Sequence, residues 1–347
     1  MLKHPTLIRI FNWEYWPFYL TQLPVLFIWF LLGIRTGKFG FLTIVNPAIE
    51  TGGLFGESKM DILKMIPTPY LPLSFFVKKN DHDFQKWKTT LINEKIELPF
   101  IVKPNRGERG LLVEKINTWE EFQEYLQESN FDFIIQEYIH DPLELSVLCY
   151  RIPKTNEARI TSICEKEMLY VIGDGTSTLE ELVGSKPRAI LQKERMAKKH
   201  ADSWNKVVQN GVTFILEPIG NHARGTKFLN TNLEIDQTLT KLFISVLDQM
   251  EDVHYGRFDI RAKSWESLRQ EGTFKVMEFN GVGSEPAHIY DPTYPIWKAY
   301  VDLYKHWKIM YRIYQTTKKE GHRPMSFKEL LTSYKAYQVY LKKVKGE

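Results

Sequence analysis

Two stretches near residue 260 have the pattern of half-buried β-strands. Residues 254–260 and 273–279 are rich in β-branched and aromatic side chains, and turn-forming polar residues separate them. The stretches are short and close in the sequence, so we expect them to pair with each other. Side chains of a strand alternate between its two faces, which decides which polar groups would come together.

Four polar residues occupy equivalent faces of these two predicted strands. Arg257 shares a face with Asp259, and Glu278 shares a face with Asn280. Pairing would bring three oxygen ligands and one guanidinium to one place. Carboxylate and amide oxygens suit Mg²⁺, with Mn²⁺ as the alternative ion, and the arginine would face phosphates. A polar sheet face or a salt bridge is the alternative interpretation.

The N-terminal segment 1–38 predicts contact with a membrane. Residues 18–34 are apolar except for Thr21, Gln22 and the helix-disturbing Pro24. The run is about 17 residues long, at the lower limit for crossing a bilayer, so a monotopic or re-entrant anchor is favoured. A true membrane span and a helix buried against the rest of the chain are the alternatives.

Between this segment and residue 70 the pattern predicts a strand, a glycine loop and a helix. Residues 39–45 form a short apolar run typical of a buried strand. Glycines follow in a loop that could approach a ligand closely. Helical periodicity starts after Ser58, a suitable cap, so Lys59 would lie where backbone N–H groups already favour anions. A solvated surface lysine is the alternative.

A hairpin is predicted over residues 99–113. Residues 99–102 and 111–113 are strand-like and enclose a glycine-containing turn that could fold over phosphates, with Lys103 at its base. A helix is predicted over residues 118–128. Residues 133–136 form another buried-type strand, and the polar residues after it could contact an adenine edge and ribose hydroxyls.

Composition adds little except at the C-terminus. The chain has 347 residues, 43% of them hydrophobic, and its net charge of +4 does not call for nucleic acid. Two cysteines without a C-x-x-C pair indicate a reducing cytosol. Residues 301–347 hold 11 Lys and Arg against four Asp and Glu. Aromatic residues recur there at helical spacing, which suits an anionic membrane surface or packing on the rest of the chain.

Together these motifs resemble the ATP-grasp superfamily, most closely its D-alanine–D-alanine ligase branch. That family has a lysine at a helix start, matched by Lys59 in GESKMDIL, and a lysine before a flexible glycine loop, matched by Lys103 in FIVKPNRGERG. Its hinge and ribose glutamates match Glu137 and Glu144 in QEYIHDPLEL. Its G-R-x-D and E-x-N motifs fall on the two strands near residue 260.

The resemblance implies an α+β fold in which two subdomains grip ATP. It divides the chain into an N-terminal segment 1–38, a truncated strand and loop 39–58, an ATP-grasp domain 59–300 and a basic helical tail 301–347. It assigns Mg²⁺ to Asp259, Glu278 and Asn280, and phosphate chemistry to Arg257. The residues that it assigns to ATP are Lys59, Lys103, Arg106, Gly107, Gly110, Glu137, Tyr138, Ile139 and Glu144.

A second resemblance lies inside the first. Residues 171–182, VIGDGTSTLEEL, are similar to a segment of the ATP-grasp units of cyanophycin synthetases and bifunctional glutathione synthetases. In that group the following basic stretch and glycine loop cover the phosphates and the acceptor. They correspond to residues 186–199, which also suit a solvated helix face, and 220–227. The loop carries His222, Arg224 and Lys227, and Arg224 is the expected catalytic residue.

The resemblance implies an ATP- and Mg²⁺-dependent carboxylate–amine or thiol ligase that acts through an acyl phosphate. Its substrates would be small or lipid-linked, and a homodimer is compatible with the branch. The usual preceding α/β domain is truncated, and GVGSEP follows the E-x-N motif, so D-alanine does not carry over as substrate. A phosphotransferase without ligation and a silent nucleotide-binding scaffold are the alternatives. We expect a cytoplasmic protein, peripheral or monotopic at the inner face of the cytoplasmic membrane.

Overall fold

The computed structural model describes residues 4–108 and 110–346. Its α-helices are α1 (Pro5–Phe11), α2 (Phe18–Thr36), α3 (Lys59–Leu63), α4 (Phe84–Asn93), α5 (Trp119–Glu128), α6 (Leu179–Ser185), α7 (Pro187–Ile190), α8 (Lys193–Lys199), α9 (Gln237–Asp248), α10 (Trp265–Gln270), α11 (Ile296–Lys319) and α12 (Phe327–Lys345). Its strands are β1 (Ser74–Val77), β2 (Phe100–Pro104), β3 (Glu114–Ile116), β4 (Phe133–Glu137), β5 (Leu143–Arg151), β6 (Ala158–Glu167), β7 (Leu169–Ile172), β8 (Thr213–Glu217), β9 (Lys227–Asn230), β10 (Tyr255–Ala262) and β11 (Lys275–Asn280).

The first subdomain is a four-stranded antiparallel sheet covered by α4 and α5. Its strand order is β1-β4-β2-β3, and the predicted hairpin is the β2–β3 pair, with Phe100 opposite Ile116. Its second strand begins at Glu114, so the strand predicted over residues 111–113 is wrong and those residues belong to the turn. Phe100, Phe122 and Phe133 are buried between sheet and helices. The predicted helix over residues 118–128 is α5, and Thr118 caps it by accepting a hydrogen bond from the Glu121 N–H.

The second subdomain is a five-stranded antiparallel sheet with order β11-β10-β5-β6-β9. On one face Phe258 and Ile260 pack with Phe243 of α9 in a common core. The alternate residues of β10 therefore point to the opposite face, toward the first subdomain. The α+β architecture of two subdomains that the ATP-grasp resemblance implies is confirmed. A small β7–β8 sheet with α6, α7 and α8 forms a separate core beside it.

The strand predicted over residues 39–45 is wrong. Residues Phe41–Ile44 form a turn of 3₁₀ helix, in which the Thr43 hydroxyl donates to the Gly40 carbonyl at 2.8 Å. All four side chains are buried, and Phe41 and Leu42 pack against Met310 of α11. Burial on every side removes the alternation that distinguishes a strand from a helical turn, so the sequence pattern could not separate them.

The terminal segments of the described chain are helical: α2 packs against α11, and α12 packs on the first subdomain through Val344. In the described part of the chain, no helix combines the length and apolarity that crossing a membrane requires. In α11, Trp307, Tyr311 and Tyr314 pack on the core that contains Tyr255, and only Tyr304 of that aromatic stripe is largely exposed, at 51%. Most of the stripe thus serves packing, one of the two interpretations that the sequence left open.

Candidate active site

A cavity of about 1080 Å³ lies between the two subdomains. Strands β2 and β4 contribute to one wall, and β5, β10 and β11 contribute to the other. Helices α2 and α11 close a further side. The polar faces predicted for β10 and β11 both line this cavity.

Strands β10 and β11 are antiparallel neighbours, as the sequence predicts. Arg257 lies directly opposite Asn280, and Asp259 lies directly opposite Glu278. The Arg257 guanidinium donates to Asp259 Oδ2 at 3.3 Å, and Asn280 Nδ2 donates to the same oxygen at 3.3 Å. Four side chains from two strands therefore converge on one point of the cavity wall.

Both predicted lysines reach this point, Lys59 from α3, which packs on β11, and Lys103 from β2 of the first subdomain. Ser58 caps α3 as predicted, and Lys59 extends from the first turn to lie 3.2 Å from Glu278 Oε1. The Lys103 ammonium, at the end of β2, donates to the Met277 carbonyl at 2.8 Å and to Gln136 Oε1 at 3.0 Å. Both lysines thus contact β11, at the Glu278 carboxylate and at the Met277 carbonyl.

The electrostatics favour charged carboxylates at this point. Burial would raise the pKa of Asp259, but Arg257 and Lys166 outweigh it and lower the pKa to about 2. Burial likewise opposes ionisation of Glu278, while Lys59 and Lys103 lower its pKa. Burial lowers the pKa of Lys103 itself to about 8. Both carboxylates are therefore ionised at neutral pH.

Sequence reasoning missed Lys166 of β6. Its ammonium lies 3.4 Å from Asp259 Oδ1 and 3.2 Å from Glu144 Oε1, and its side chain is only 6% exposed. Ser146, opposite Asp259 on β5, also donates to Asp259 Oδ1. A lysine within the strand-like run SICEKE was the available signal, because a charged residue in a central strand needs a partner.

The residues predicted for adenine and ribose line the cavity at its β4 end. Glu137 Oε2 accepts a hydrogen bond from the Leu73 N–H at 3.1 Å, and the Tyr138 ring lies 4.2 Å from the Lys115 ammonium. The Ile139 carbonyl accepts from Arg261 at 2.9 Å.

Glu144 is already bound by two cations. Arg261 donates to its Oε2 through Nη2 at 2.8 Å and through Nε at 3.1 Å, while Lys166 lies at the other oxygen. A ribose hydroxyl would therefore share this carboxylate with both cations.

Of the glycine-loop residues, Gly107 and Gly110 line the cavity. The Gly107 carbonyl accepts a hydrogen bond from Lys59, and Gly107 has a φ of 136°, a conformation that suits glycine. Arg106 extends elsewhere, to Glu50 Oε2 at 2.7 Å. Its guanidinium is not among the cavity-lining groups of the described residues.

Arg224 holds the same loop from outside. Its guanidinium donates to the carbonyl of Gly110 and, at 3.2 Å, to that of Val113. It also lies 4.0 Å from the fully buried Glu217, which is paired at 3.1 Å with Lys199. These contacts favour a role in holding the glycine loop, while His222 of the same segment lines the cavity.

The N-terminal segment forms part of the cavity wall. Glu14 is buried and accepts two hydrogen bonds from Arg188 Nη2, at 2.7 and 2.8 Å, and lies 2.9 Å from His222 Nε2. Burial would raise the pKa of Glu14, but His222 and Arg188 keep it below its usual value. Gln22 of α2 donates to Glu285 Oε1 at 2.6 Å. The segment predicted for membrane contact is thus also a structural part of the site.

The donor set fits Mg²⁺ bound together with a phosphate ligand. Within the described residues, no group of three or more Asp, Glu, His or Cys side chains is arranged to hold a metal alone. Asp259, Glu278 and Asn280 supply two carboxylates and one amide instead. Mg²⁺ commonly uses one or two carboxylates and completes its octahedron with water and phosphate oxygens. These three residues would hold it.

Comparison with known proteins gives a family match over part of the chain. The Tubulin-tyrosine ligase family matches residues 69–147, which include the whole of the four-stranded sheet. No curated protein sequence matches the chain.

The chain is similar to several ligases of known structure at low identity. It is 14% identical to the D-alanine–D-alanine ligase from Bacillus anthracis, with a TM-score of 0.43 over 78% of this chain and 70% of that one. It is also 14% identical to the D-Ala:D-Ser ligase from Enterococcus faecalis, with a TM-score of 0.39 over 72% of this chain and 61% of that one. It is 13% identical to the bifunctional glutathione synthetase from Pasteurella multocida, with a TM-score of 0.37 over 71% of this chain and 36% of that one. The chain thus spans little more than a third of that synthetase.

Proposed function

We propose that the chain is an ATP-dependent ligase that joins a carboxylate to an amine. The γ-phosphoryl group of ATP passes to the carboxylate, which yields ADP and an acyl phosphate. The amine then attacks the acyl carbon, the carbon–oxygen bond to phosphate breaks, and phosphate leaves. The amine nitrogen loses a proton to form the amide. The acceptor supplies the nucleophile, so the mechanism requires none from the protein.

One observation carries this proposal: two lysines, from α3 and β2, meet the four polar side chains of β10 and β11 in one cavity. Lys59 and Lys103 would bind the phosphates of ATP, since they are the cations nearest the carboxylate of Glu278 and the backbone of β11. Arg257 would neutralise the charge that develops during transfer, because its guanidinium lies beside Asp259. Phosphoryl transfer depends mainly on such positioning and charge stabilisation.

The metal ligands would be Asp259, Glu278 and Asn280. Bound there, Mg²⁺ or Mn²⁺ would neutralise charge on the phosphate oxygens. Arg257 and Lys166 keep Asp259 ionised, and Lys59 and Lys103 do the same for Glu278. The chain therefore maintains both carboxylates in the state that binds a cation.

The cysteines do not compete as nucleophiles. Cys149 and Cys164 are both fully buried. Burial raises the pKa of the Cys149 thiol, and burial raises that of Cys164 to about 12. Neither residue supplies a thiolate at neutral pH, since the thiolate is the nucleophilic form. Direct attack of the acceptor on an acyl phosphate is the simpler chemistry.

The same proposal places the enzyme at an anionic membrane surface. Apolar side chains of α1 and α2 are exposed, among them Phe11 at 70%, Phe27 at 62% and Ile34 at 59%. Exposed Arg9 and Arg35 lie on the same helices, and such a combination favours anionic headgroups. Sedimentation with phosphatidylglycerol and phosphatidylcholine vesicles tests this placement. Equal binding to both would contradict it.

Release of ADP in a screen of carboxylates and amines tests the ligase chemistry. Asp259→Asn and Glu278→Gln should each lower ATP turnover by roughly 100-fold or more, because each removes a charge that stabilises transfer. Glu266→Gln on the exposed surface of α10 is the matched control and should leave turnover unchanged. Circular dichroism verifies the fold of each variant. Unchanged turnover in both site variants would remove the proposed site.

The product distinguishes the two other functions. Equimolar ADP and a stable phosphorylated product, with no amide, would identify a phosphotransferase. Calorimetric binding of ATP without hydrolysis across all acceptors would identify a nucleotide-binding scaffold. Mass spectrometry of the reaction mixture separates an amide product from a phosphorylated one.

A further inference from the structure

Part of the cavity wall is apolar, where side chains of the neighbouring helices α2 and α11 line it, and this part is called the apolar branch. The branch is lined by Val25, Leu26 and Trp29 of α2 and by Leu303, Trp307 and Met310 of α11. These side chains are not needed to bind phosphates or a metal. Their presence in the same cavity means that a ligand at the polar end could extend an apolar group along them.

Strand β10 joins the two parts of the cavity. Tyr255 lines the cavity two residues before Arg257, and alternate residues of a strand share a face about 7 Å apart. Tyr255 packs in the same core as Met310, and Trp307 packs against that core. The apolar branch therefore begins about 7 Å along β10 from Arg257.

Helix α2 forms the other side of the branch with a single stripe of residues. Gln22 contacts Glu285, whose backbone carbonyl accepts from Arg257 at 3.3 Å. Leu26 and Trp29 lie four and seven positions further, on the same helix face. At 1.5 Å per residue, the stripe from Gln22 to Trp29 extends about 10 Å away from the polar end. That length accommodates an alkyl chain.

The branch reaches the protein surface. Val25 is 7% exposed and Leu303 is 6% exposed, so the inner part is enclosed. Leu26 lines the cavity and is also 53% exposed. Leu23, one turn earlier, is 58% exposed but is not among the described residues that line the cavity. A chain in the branch could thus extend out past Leu26.

The head group is indicated by charge. Arg257 lines the cavity with its side chain 22% exposed, and its Nε atom is buried without a hydrogen-bond partner among the described residues. An incompletely paired guanidinium favours an anion, and carboxylates are frequent partners of arginine.

We propose that the carboxylate substrate is an amphiphile, with its carboxylate at Arg257 and its alkyl or acyl chain in the apolar branch along α2 and α11. This proposal rests on the proposed ligase function only for the fate of the carboxylate. Each methylene removed from water in such a branch strengthens binding by about fourfold. Affinity should therefore rise steeply with chain length until the chain passes Leu26.

Fluorescence quenching tests chain binding without any reaction. The probes are 11-bromoundecanoic acid below its critical micelle concentration and 3-bromopropanoic acid, because bromine quenches an indole that it contacts. We expect saturable quenching by the long acid alone, reduced in Trp29→Phe. Leu26→Arg should weaken binding of the long acid by at least roughly tenfold, since a charge would enter an apolar wall. Leu23→Arg is the matched control and should bind normally.

The outcomes separate this proposal from the ligase chemistry. Equal quenching by both acids, or equal effects of Leu26→Arg and Leu23→Arg, would overturn the chain site. Loss of vesicle binding in both variants, with no saturable binding of the free acid, would show that α2 contacts only the bilayer and would also overturn it. Saturable chain binding without ADP release for any amine would instead refute the ligase and leave the chain site intact.

Discussion

The ammonium group of Lys166 lies 3.4 Å from the carboxylate of Asp259, and both side chains are almost fully enclosed. Burial opposes the charge on Lys166, but Asp259 and Glu144 outweigh it, so the pKa of Lys166 is raised. Lys166 thus links the proposed metal ligand on β10 to the carboxylate at the start of β5. An enclosed lysine between two carboxylates maintains the charge balance of the site before any ligand binds.

Removal of Lys166 should therefore destabilise the fold. Lys166→Met leaves Asp259 and Glu144 with one cation fewer, and breaking a buried ion pair costs about 3 kcal/mol. Urea unfolding measures the free energy of unfolding. Lys154→Met is the control, because Lys154 pairs with Glu320 at 3.3 Å but is 73% exposed, and such pairs contribute less than about 1 kcal/mol. Equal losses in both variants would contradict a buried pair at Asp259.

Affinity for ATP should fall as pH rises through about 8. Burial lowers the pKa of Lys103 to about 8, so the free protein loses this ammonium above that pH. Calorimetric titration with ATP from about one unit below to about one unit above this pKa measures the change. In Lys103→Arg the affinity for ATP should no longer fall above pH 8, since a guanidinium stays charged. If the affinity for ATP still falls with rising pH in Lys103→Arg, another group is responsible for the titration.

The same lysine has the opposite effect on stability. The pKa of Lys103 is below its ordinary value of 10.5, so between pH 8 and 10.5 the unfolded chain binds the proton more than the folded chain does. Folding is therefore favoured as pH rises through this window, and the contribution is absent below pH 8.

Loss of Arg188 should release the N-terminal segment. Arg188→Met leaves Glu14, which is 4% exposed, without its bidentate partner. We expect trypsin to cleave after Arg9 and Arg35 roughly tenfold faster, because local opening becomes easier. Mass spectrometry of the fragments measures this rate. Arg323→Met removes an exposed ion pair with Glu329, and trypsin should cleave this control variant at the original rate.

Two glycine substitutions should have opposite effects on stability. Gly53 has a φ of 79°, and a Cβ atom there would lie 2.7 Å from the Gly281 Cα in the turn after β11. Gly53→Ala should therefore lower the free energy of unfolding by about 2 kcal/mol. Gly184 lies in α6 with open space around it, so Gly184→Ala should raise it by about 0.5 kcal/mol. Denaturant titration of both variants measures the contrast.

The sequence predicted the features that local patterns encode. The alternation of side chains along a strand predicted which residues of β10 and β11 share a face. The cap at Ser58 predicted that the helix begins at Lys59. The ion pair between Glu14 and Arg188 joins residues 174 positions apart, and no local pattern indicates it. For the same reason, the position of Arg224 on the glycine-loop carbonyls could not be predicted.

Helix α2 constrains how this protein can be prepared. Deleting an exposed hydrophobic N-terminal segment is a common way to improve expression and crystallisation. Here the same residues supply Gln22, Val25 and Trp29 to the wall of the cavity, and Glu14 to a buried ion pair. A shortened chain that begins after Thr36 would have an open cavity, and its inactivity would say nothing about the chain that retains α2.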